Sequence, residues 1–142
     1  MKKVILVFSS ILILFFYSCS GNSNPNATTQ EVAQVEATVV DVTVNQFKDL
    51  LIEQGGTVLD VRTPEEWAEG TIAKAEKINF YDDNFATDIE RLNKEEPVFV
   101  YCKSGGRSAN AAETLKEKGF SKIYNLDGGI TAWIDAGNET VK

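Results

Sequence analysis

The chain of 142 residues contains no histidine. That absence excludes catalytic arrangements in which an imidazole activates a cysteine or serine, and it excludes metal sites built on histidine ligands. Cysteine is almost as scarce, because Cys19 and Cys102 are the only two. Any reactivity at a cysteine must therefore come from its local electrostatic surroundings rather than from a neighbouring imidazole.

Basic residues are also in short supply. The chain has 14 Lys and Arg against 21 Asp and Glu, a net charge of −7. Without Lys2 and Lys3, 12 basic residues would remain and the net charge would be −9. Such an acidic surface argues against nucleic acid or an anionic lipid surface as a partner. The 43% hydrophobic and 25% charged content is typical of one modest soluble domain.

Long apolar runs are absent except near the amino terminus. There, Lys2 and Lys3 precede the run VILVFSSILILFFYS, residues 4–18. The order of basic, apolar and then small residues is that of a secretory signal. The run is shorter than the roughly 20 residues that a transmembrane helix needs. We therefore predict a signal peptide over residues 1–18 rather than a permanent membrane span.

The end of this segment, Ser18 followed by Cys19, resembles the lipobox of bacterial lipoproteins, although Phe16 and Tyr17 are bulkier than the residues usual there. The resemblance implies that Cys19 carries a lipid and becomes the mature amino terminus. The protein would then be lipid-anchored at the bacterial cell envelope and face the periplasm. A secreted protein and an uncleaved signal anchor are the alternatives.

A segment rich in Ser, Asn, Thr and Gln follows the anchor. It has little apolar surface to bury, which predicts a flexible tether over residues 19–37. If Cys19 is lipidated, Cys102 has no partner for a disulfide within the chain.

From residue 38 onward, short β-branched runs alternate with helical patterns about five times. The predicted strands are ATVVDVT, TVLDV, EKINF, PVFVYC and KIYNL. The predicted helical segments are VNQFKDLLIEQGG with a Gly-Gly stop, TPEEWAEG, DDNFATDIERLN, SANAAETLKEKG closed by Gly119, and GITAWIDAG. This order predicts a single α/β domain over residues 38–142, with a mainly parallel five-stranded sheet and helices on both faces. Ligands of such folds bind at the carboxyl ends of the strands.

Cys102 lies at that end of the predicted strand PVFVYC. Gly105 and Gly106 follow, and they allow positive φ angles that turn backbone N–H groups inward. The next helix adds unpaired N–H groups and the positive end of its dipole. With Lys103 and Arg107 nearby, the thiol is expected to have a pKa below the usual value of about 8.5. An inert buried cysteine is the alternative, but it would need neither the glycines nor the cations.

The loop CKSGGRS, residues 102–108, resembles the Cys-x-x-Gly-x-Arg-Ser loop of the rhodanese-like sulfurtransferases, in particular the single-domain rhodaneses. Two further blocks are similar to family blocks: LDVRTPEEWAEGTI, residues 59–72, and NLDGGITAW, residues 125–133. Together the resemblance covers about residues 39–136. Thr71 departs from it, because the family usually has histidine there.

The resemblance implies a sulfurtransferase in which Cys102 takes the outer sulfur of a donor such as thiosulfate or a persulfide. The sulfur would be held as a Cys102 persulfide and passed to cyanide, a cellular thiol or a protein acceptor. No cofactor and no metal is expected. The predicted substrate-binding residues are those of the loop: Lys103, Ser104, Gly105, Gly106, Arg107 and Ser108.

Individual roles follow within this loop. Lys103 is the better candidate for attracting thiosulfate, whereas Arg107 either binds the donor or braces the loop through backbone carbonyls. Ser108 is expected to cap the following helix.

Other residues of the family blocks are predicted to support the site. Asp60, Arg62 and Glu66 are expected to have structural roles, with Arg62 paired to Glu66. Gly128 and Gly129 are expected to form the turn into the last helix. Phe80, Tyr81 and Phe85 either line the pocket or belong to the core.

Three other functions stay open at this point. A cysteine-dependent phosphatase or arsenate reductase would use a similar thiolate, but its loop has five residues between cysteine and arginine, where this chain has four. A non-catalytic binding module of the envelope and a persulfide relay to another protein are the other two.

The lipid anchor gives the first testable prediction. Metabolic labelling of the full chain in a bacterial host with a clickable palmitate analogue should label wild type and Cys102→Ser equally. Cys19→Ser should be unlabelled, because Cys102, the other cysteine, does not follow a signal segment. A wild-type protein that is soluble and unlabelled would remove the anchor.

Overall fold

The computed structural model describes residues 37–142. The predicted signal peptide, Cys19 and the tether up to residue 36 lie outside the described residues, so those predictions stay predictions. Within residues 37–142, no helix combines the length and the apolar character needed to cross a membrane.

A five-stranded sheet forms the centre of the domain. Its strands are β1 (Thr38–Val42), β2 (Thr57–Asp60), β3 (Glu76–Lys77), β4 (Val98–Tyr101) and β5 (Lys122–Leu126). The spatial order is β1-β5-β4-β2-β3, and every neighbouring pair is parallel. The predicted single α/β domain with a parallel five-stranded sheet is confirmed. Strand β4 is central, and its four residues are all buried.

Within residues 37–142, four helices connect the strands and a fifth follows β5. They are α1 (Val44–Gln54), α2 (Pro64–Glu69), α3 (Phe85–Asp88), α4 (Gly106–Glu117) and α5 (Gly129–Asp135), with a 3₁₀ turn at Ile89–Arg91. Local sequence explains their starts. Thr43 caps α1 through a capping box with Gln46. At α2, Pro64 occupies the first turn and the Glu66 carboxylate accepts the Thr63 backbone N–H at 3.0 Å.

The side chains of β4 divide the core into two layers. Val98 and Val100 pack on the face covered by α3 and α4, where Phe85 and Leu115 are buried. Phe99 and Tyr101 point to the opposite face and join a second cluster. That cluster includes Phe47 of α1 and Ile130 of α5. Alternation along a strand thus fills both faces of the sheet, which leaves the strand ends for chemistry.

Three predicted elements differ in extent. The strand EKINF is regular only at Glu76–Lys77, although the N–H groups of Ile78 and Phe80 still bond to the carbonyls of Asp60 and Val61. The long helix predicted over DDNFATDIERLN is a short α3 followed by the 3₁₀ turn. Helix α4 begins two residues earlier than predicted, because Gly105 adopts φ 99° and turns the chain into the helix at Gly106.

A buried polar network ties β2 to β4 beneath the expected site. The Asp60 carboxylate accepts hydrogen bonds from Arg62 Nε at 2.9 Å, from Arg62 Nη2 at 2.7 Å and from the Tyr101 hydroxyl at 2.6 Å. Arg62 Nη2 also donates to the Gly70 carbonyl, and the Ile72 amide donates to the Tyr101 oxygen. Burial, with Asp60 adjacent, raises the pKa of Tyr101, so the phenol stays a donor.

Thr71 binds the carboxyl-terminal segment. It forms an antiparallel bridge with Val141 through two backbone hydrogen bonds of 2.8 Å. The neighbouring Glu139 carbonyl accepts the Trp133 indole N–H at 3.0 Å, which links the same segment to α5.

The network predicts the cost of removing its only carboxylate. Asp60→Asn should lower the free energy of unfolding by roughly 3–5 kcal/mol, because it leaves the Arg62 guanidinium buried without a counter-charge. Urea denaturation measures the change. Glu90→Gln, which removes an exposed pair with Lys118, is the control and should change stability little. Equal effects of the two substitutions would contradict a supporting role for the buried pair.

Candidate active site

Cys102 directly follows β4, at the carboxyl end of the central strand. Its side chain is 1% exposed and contacts the apolar layer below α4. The loop of Lys103, Ser104 and Gly105 leads from it into α4. Parallel packing of the strands therefore places the thiol where the fold predicts a ligand.

Backbone and hydroxyl donors surround the sulfur. The Gly105 amide lies 3.1 Å from Sγ, and the Ser108 hydroxyl lies 3.5 Å from it. The same hydroxyl oxygen is 2.9 Å from the Gly105 carbonyl. Its single hydrogen can serve either acceptor, so it can turn to the sulfur when the thiol ionises.

Two opposing effects set the pKa of Cys102. Burial of the side chain raises the pKa of the thiol. Hydrogen bonds from the Ser108 hydroxyl and from the amides of Ser108, Ser104 and Gly105 lower it. The donors outweigh burial, and the pKa of the thiol lies below the usual value for cysteine. The direction is the one expected for a sulfur at the start of a helix.

Arg107 is held by Glu66 of α2. Its two terminal nitrogens each lie 2.7 Å from a different oxygen of the Glu66 carboxylate, in a bidentate pair. The ring of Tyr81 lies over the guanidinium at 5.6 Å. Negative charge on Cys102 contributes to raising the pKa of Arg107, after the larger effect of Glu66. The arginine thus braces the start of α4 through a carboxylate rather than through backbone carbonyls.

The predicted pairing of Arg62 with Glu66 is wrong. Arg62 binds Asp60, two residues away at the end of β2, and Glu66 faces Arg107. The reason is geometric. At a strand end, side chains two residues apart share one side, which brings Asp60 and Arg62 together. Glu66 lies on α2, which presents it to α4. The structure thus places Asp60 and Arg62 beneath the site and Glu66 beside it.

The remaining loop residues take different positions. The Lys103 and Ser104 side chains are exposed, and Gly105 and Gly106 supply the turn and the helix start. Ser108 lies in the first turn of α4, and the residue before the helix is Gly105, so Ser108 does not cap it from outside. Of the aromatic residues near the site, Phe85 is buried in the core, whereas Tyr81 is 66% exposed at the rim.

The start of α5 holds the cysteine loop from the other side. The Ile130 amide donates to the Cys102 carbonyl at 2.9 Å. Thr131 donates to the Lys103 carbonyl from its amide at 3.2 Å and from its hydroxyl at 2.9 Å. Gly129 permits this approach, because a Cβ there would overlap the Cys102 carbonyl oxygen and its φ is 58°. The glycines were predicted only as a turn, and sequence reasoning missed Thr131 and Tyr101.

No group of three or more His, Cys, Asp and Glu side chains in residues 37–142 is arranged to hold a metal ion. The residues that converge on the sulfur are donors of hydrogen bonds. Their chemistry suits an anion.

The comparisons with known proteins agree with this geometry. The family model of the rhodanese-like domain matches residues 43–136. The chain belongs to the rhodanese-like domain family. Rhodanese-like domain-containing protein 17 of Arabidopsis thaliana is 33% identical over 141 aligned residues, with 91% of this chain and 86% of the relative covered.

Two further relatives of this rhodanese-like chain come from bacteria. Thiosulfate sulfurtransferase GlpE of Shewanella oneidensis is 34% identical over 95 residues, covering 67% of this chain and 92% of GlpE. The crystal structure of a rhodanese-like domain protein from Staphylococcus aureus matches with a TM-score of 0.61 and 34% identity, covering 72% of this chain and 99% of that one. Such relatives support a rhodanese-type sulfurtransferase family.

The Glu66–Arg107 pair predicts a pH dependence of stability. The Arg107 hydrogen bonds lower the pKa of Glu66 from 4.5 to about 2 in the folded protein. A carboxyl with a lowered folded pKa stabilises fully above its unfolded pKa, and that contribution falls as the pH drops from about 4.5 to about 2. The contribution of the ionised Glu66 carboxylate to the free energy of unfolding is roughly 2–3 kcal/mol, a figure that allows for its partial solvent exposure.

Urea denaturation of wild type and Glu66→Gln tests this between pH 2 and 6. The difference in the free energy of unfolding should be largest near pH 6 and should shrink towards pH 2. Arg107→Gln is the matched variant and should lose the same pH-dependent part of the free energy of unfolding. A difference that stays constant with pH would contradict the lowered pKa.

Proposed function

We propose that the protein is a sulfurtransferase that carries a sulfane sulfur as a persulfide on Cys102. One observation carries the proposal: backbone and hydroxyl donors surround the Cys102 sulfur and lower its pKa. The arrangement favours the thiolate form of Cys102 without a general base. That fits a chain that has no histidine.

The first half-reaction needs no proton transfer. The Cys102 thiolate attacks the outer sulfur of thiosulfate and forms a new S–S bond. The S–S bond within thiosulfate breaks, and sulfite leaves with the electron pair. Charge balances, because a thiolate and a dianion become a persulfide anion and a dianion. The same backbone donors stabilise the anion before and after the step, as an oxyanion hole does.

The second half-reaction returns the free thiolate. A nucleophilic acceptor attacks the outer sulfur of the persulfide, and the Cys102 sulfur leaves with the electron pair. Cyanide gives thiocyanate, and a cellular or protein thiolate gives its own persulfide. Low pKa makes Cys102 a good leaving group here as well as a nucleophile in the first step.

The two cations of the loop, Lys103 and Arg107, have different roles. Arg107 already has both terminal nitrogens on Glu66, so its charge is largely compensated within the protein. The Lys103 side chain is exposed and directly follows the nucleophile. We therefore assign the attraction of the anionic donor to Lys103 and the bracing of the loop to Arg107.

The location of the protein is part of the proposal. The lipobox resemblance at Cys19 supports a lipid-anchored sulfurtransferase at the bacterial cell envelope, facing the periplasm. Either a free-standing enzyme or a relay to a protein thiol would use the same Cys102 chemistry.

The full chain should produce thiocyanate from thiosulfate and cyanide. Cys102→Ala should abolish turnover, because it removes the atom that carries the sulfur. Cys19→Ser is the control, since it removes the other cysteine and should retain activity. Mass spectrometry after thiosulfate should show one added sulfur on the peptide containing Cys102. Turnover of phosphate esters or arsenate without a sulfur adduct from any donor would overturn the proposal.

A further inference from the structure

The peptide unit between Lys103 and Ser104 lies between α5 and the reactive sulfur. On one side, the Lys103 carbonyl accepts both the amide and the hydroxyl of Thr131. On the other side, the next peptide unit carries the Gly105 amide, which donates to the Cys102 sulfur at 3.1 Å. The Ser104 amide is a further donor that lowers the pKa of Cys102. A trans peptide unit is planar, and its carbonyl oxygen and amide hydrogen point in opposite directions. Fixing one end of the unit therefore fixes the direction of the other.

We propose that Thr131 is a positioning residue for the Cys102 sulfur: by binding the Lys103 carbonyl, it holds the following loop so that the Ser104 and Gly105 N–H groups face Sγ. The kinetic consequence rests on the proposed sulfurtransferase function. The effect on the thiol itself does not.

The position of Thr131 separates this role from a general structural one. Its side chain is exposed and adds nothing to the core. Its hydroxyl donates to Lys103, 28 positions away in the chain, rather than to a neighbour in its own helix. Surface substitutions without such a contact change stability by only a few tenths of a kcal/mol. Loss of the hydroxyl should therefore change the thiol far more than it changes the fold.

The charged groups around the thiol stay the same when Thr131 is changed. Arg107 from α4 is paired with Glu66, and Arg62 at the end of β2 is paired with Asp60. Lys103 belongs to the loop itself. The Tyr81 phenol lies over Arg107 at the rim. A shift in the titration of Cys102 in a Thr131 variant would thus report the backbone donors rather than a lost charge.

The test is the pH profile of Cys102 alkylation by iodoacetamide, followed on the Cys102 peptide of the full chain by mass spectrometry. Thr131→Val keeps the branched shape and removes the hydroxyl, and Thr131→Ala removes it without the branch. In both variants, the midpoint of the alkylation profile should move upward by about half a pH unit. Alkylation below the midpoint should then be about threefold slower than in wild type. Thr131→Ser keeps the hydroxyl and should titrate like wild type.

Thr114→Val is the matched control. Thr114 is an exposed threonine of α4 whose hydroxyl donates to the Asn110 carbonyl at 3.2 Å, within its own helix. Its profile should equal that of wild type. The proposal is overturned if both hydroxyl-free variants titrate like wild type, or if Thr131→Ser shifts as far as Thr131→Val.

Persulfide formation from thiosulfate adds a second readout. At a fixed pH below the midpoint, its rate in Thr131→Val should fall about threefold together with alkylation. If neither wild type nor any variant forms a persulfide, the proposed sulfurtransferase function is contradicted. The alkylation profiles still decide the role of Thr131.

Discussion

The hydrogen bonds that backbone amides direct at the Cys102 sulfur are the interaction on which the rest of this structure depends. A side-chain base could be supplied by one residue at one position. Backbone donors cannot, because each amide points wherever the surrounding fold turns it. The central strand β4, the early start of α4 at Gly106 and the approach of α5 through Gly129 all set the direction of these groups.

Two ion pairs support this arrangement from different depths. Asp60 and Arg62 are buried, and they join β2, β4 and the chain around Gly70 into one unit beneath the loop. Glu66 and Arg107 are half-buried and join α2 to α4 beside it. In each pair, the positive and negative charges compensate each other. The backbone amides nearest the sulfur are therefore fixed dipoles, and they lose no energy in rearranging when the thiol ionises.

Local patterns in the sequence were enough to predict most of the fold. Hydrophobic periodicity, glycine stops and the Thr63–Pro64 helix start are each contained within a few consecutive residues. The elements that these signals predict are present. The cysteine loop is contiguous, so its donors could be expected too. The Arg62 partner could be expected as well, because Asp60 lies two residues away on the same side of the chain; the expectation of Glu66 followed the family block instead. Thr131 could not be predicted, since its contact with Lys103 exists only once Gly129 lets α5 approach the loop.

The near-complete burial of Cys102 has a consequence for the order of events at this site. Because the residue Cys102 is 1% exposed, its thiol meets solutes poorly, whatever its ionisation state. A disulfide bond is about 2.05 Å long, and a new sulfur must sit on the side from which its donor came. In the sulfur transfer proposed above, loading would therefore move the reactive atom about 2.05 Å from Sγ, towards the side from which the donor approached. The protein without sulfur would then shield its nucleophile from solutes, and the proposed persulfide would expose its outer sulfur on the side of the donor.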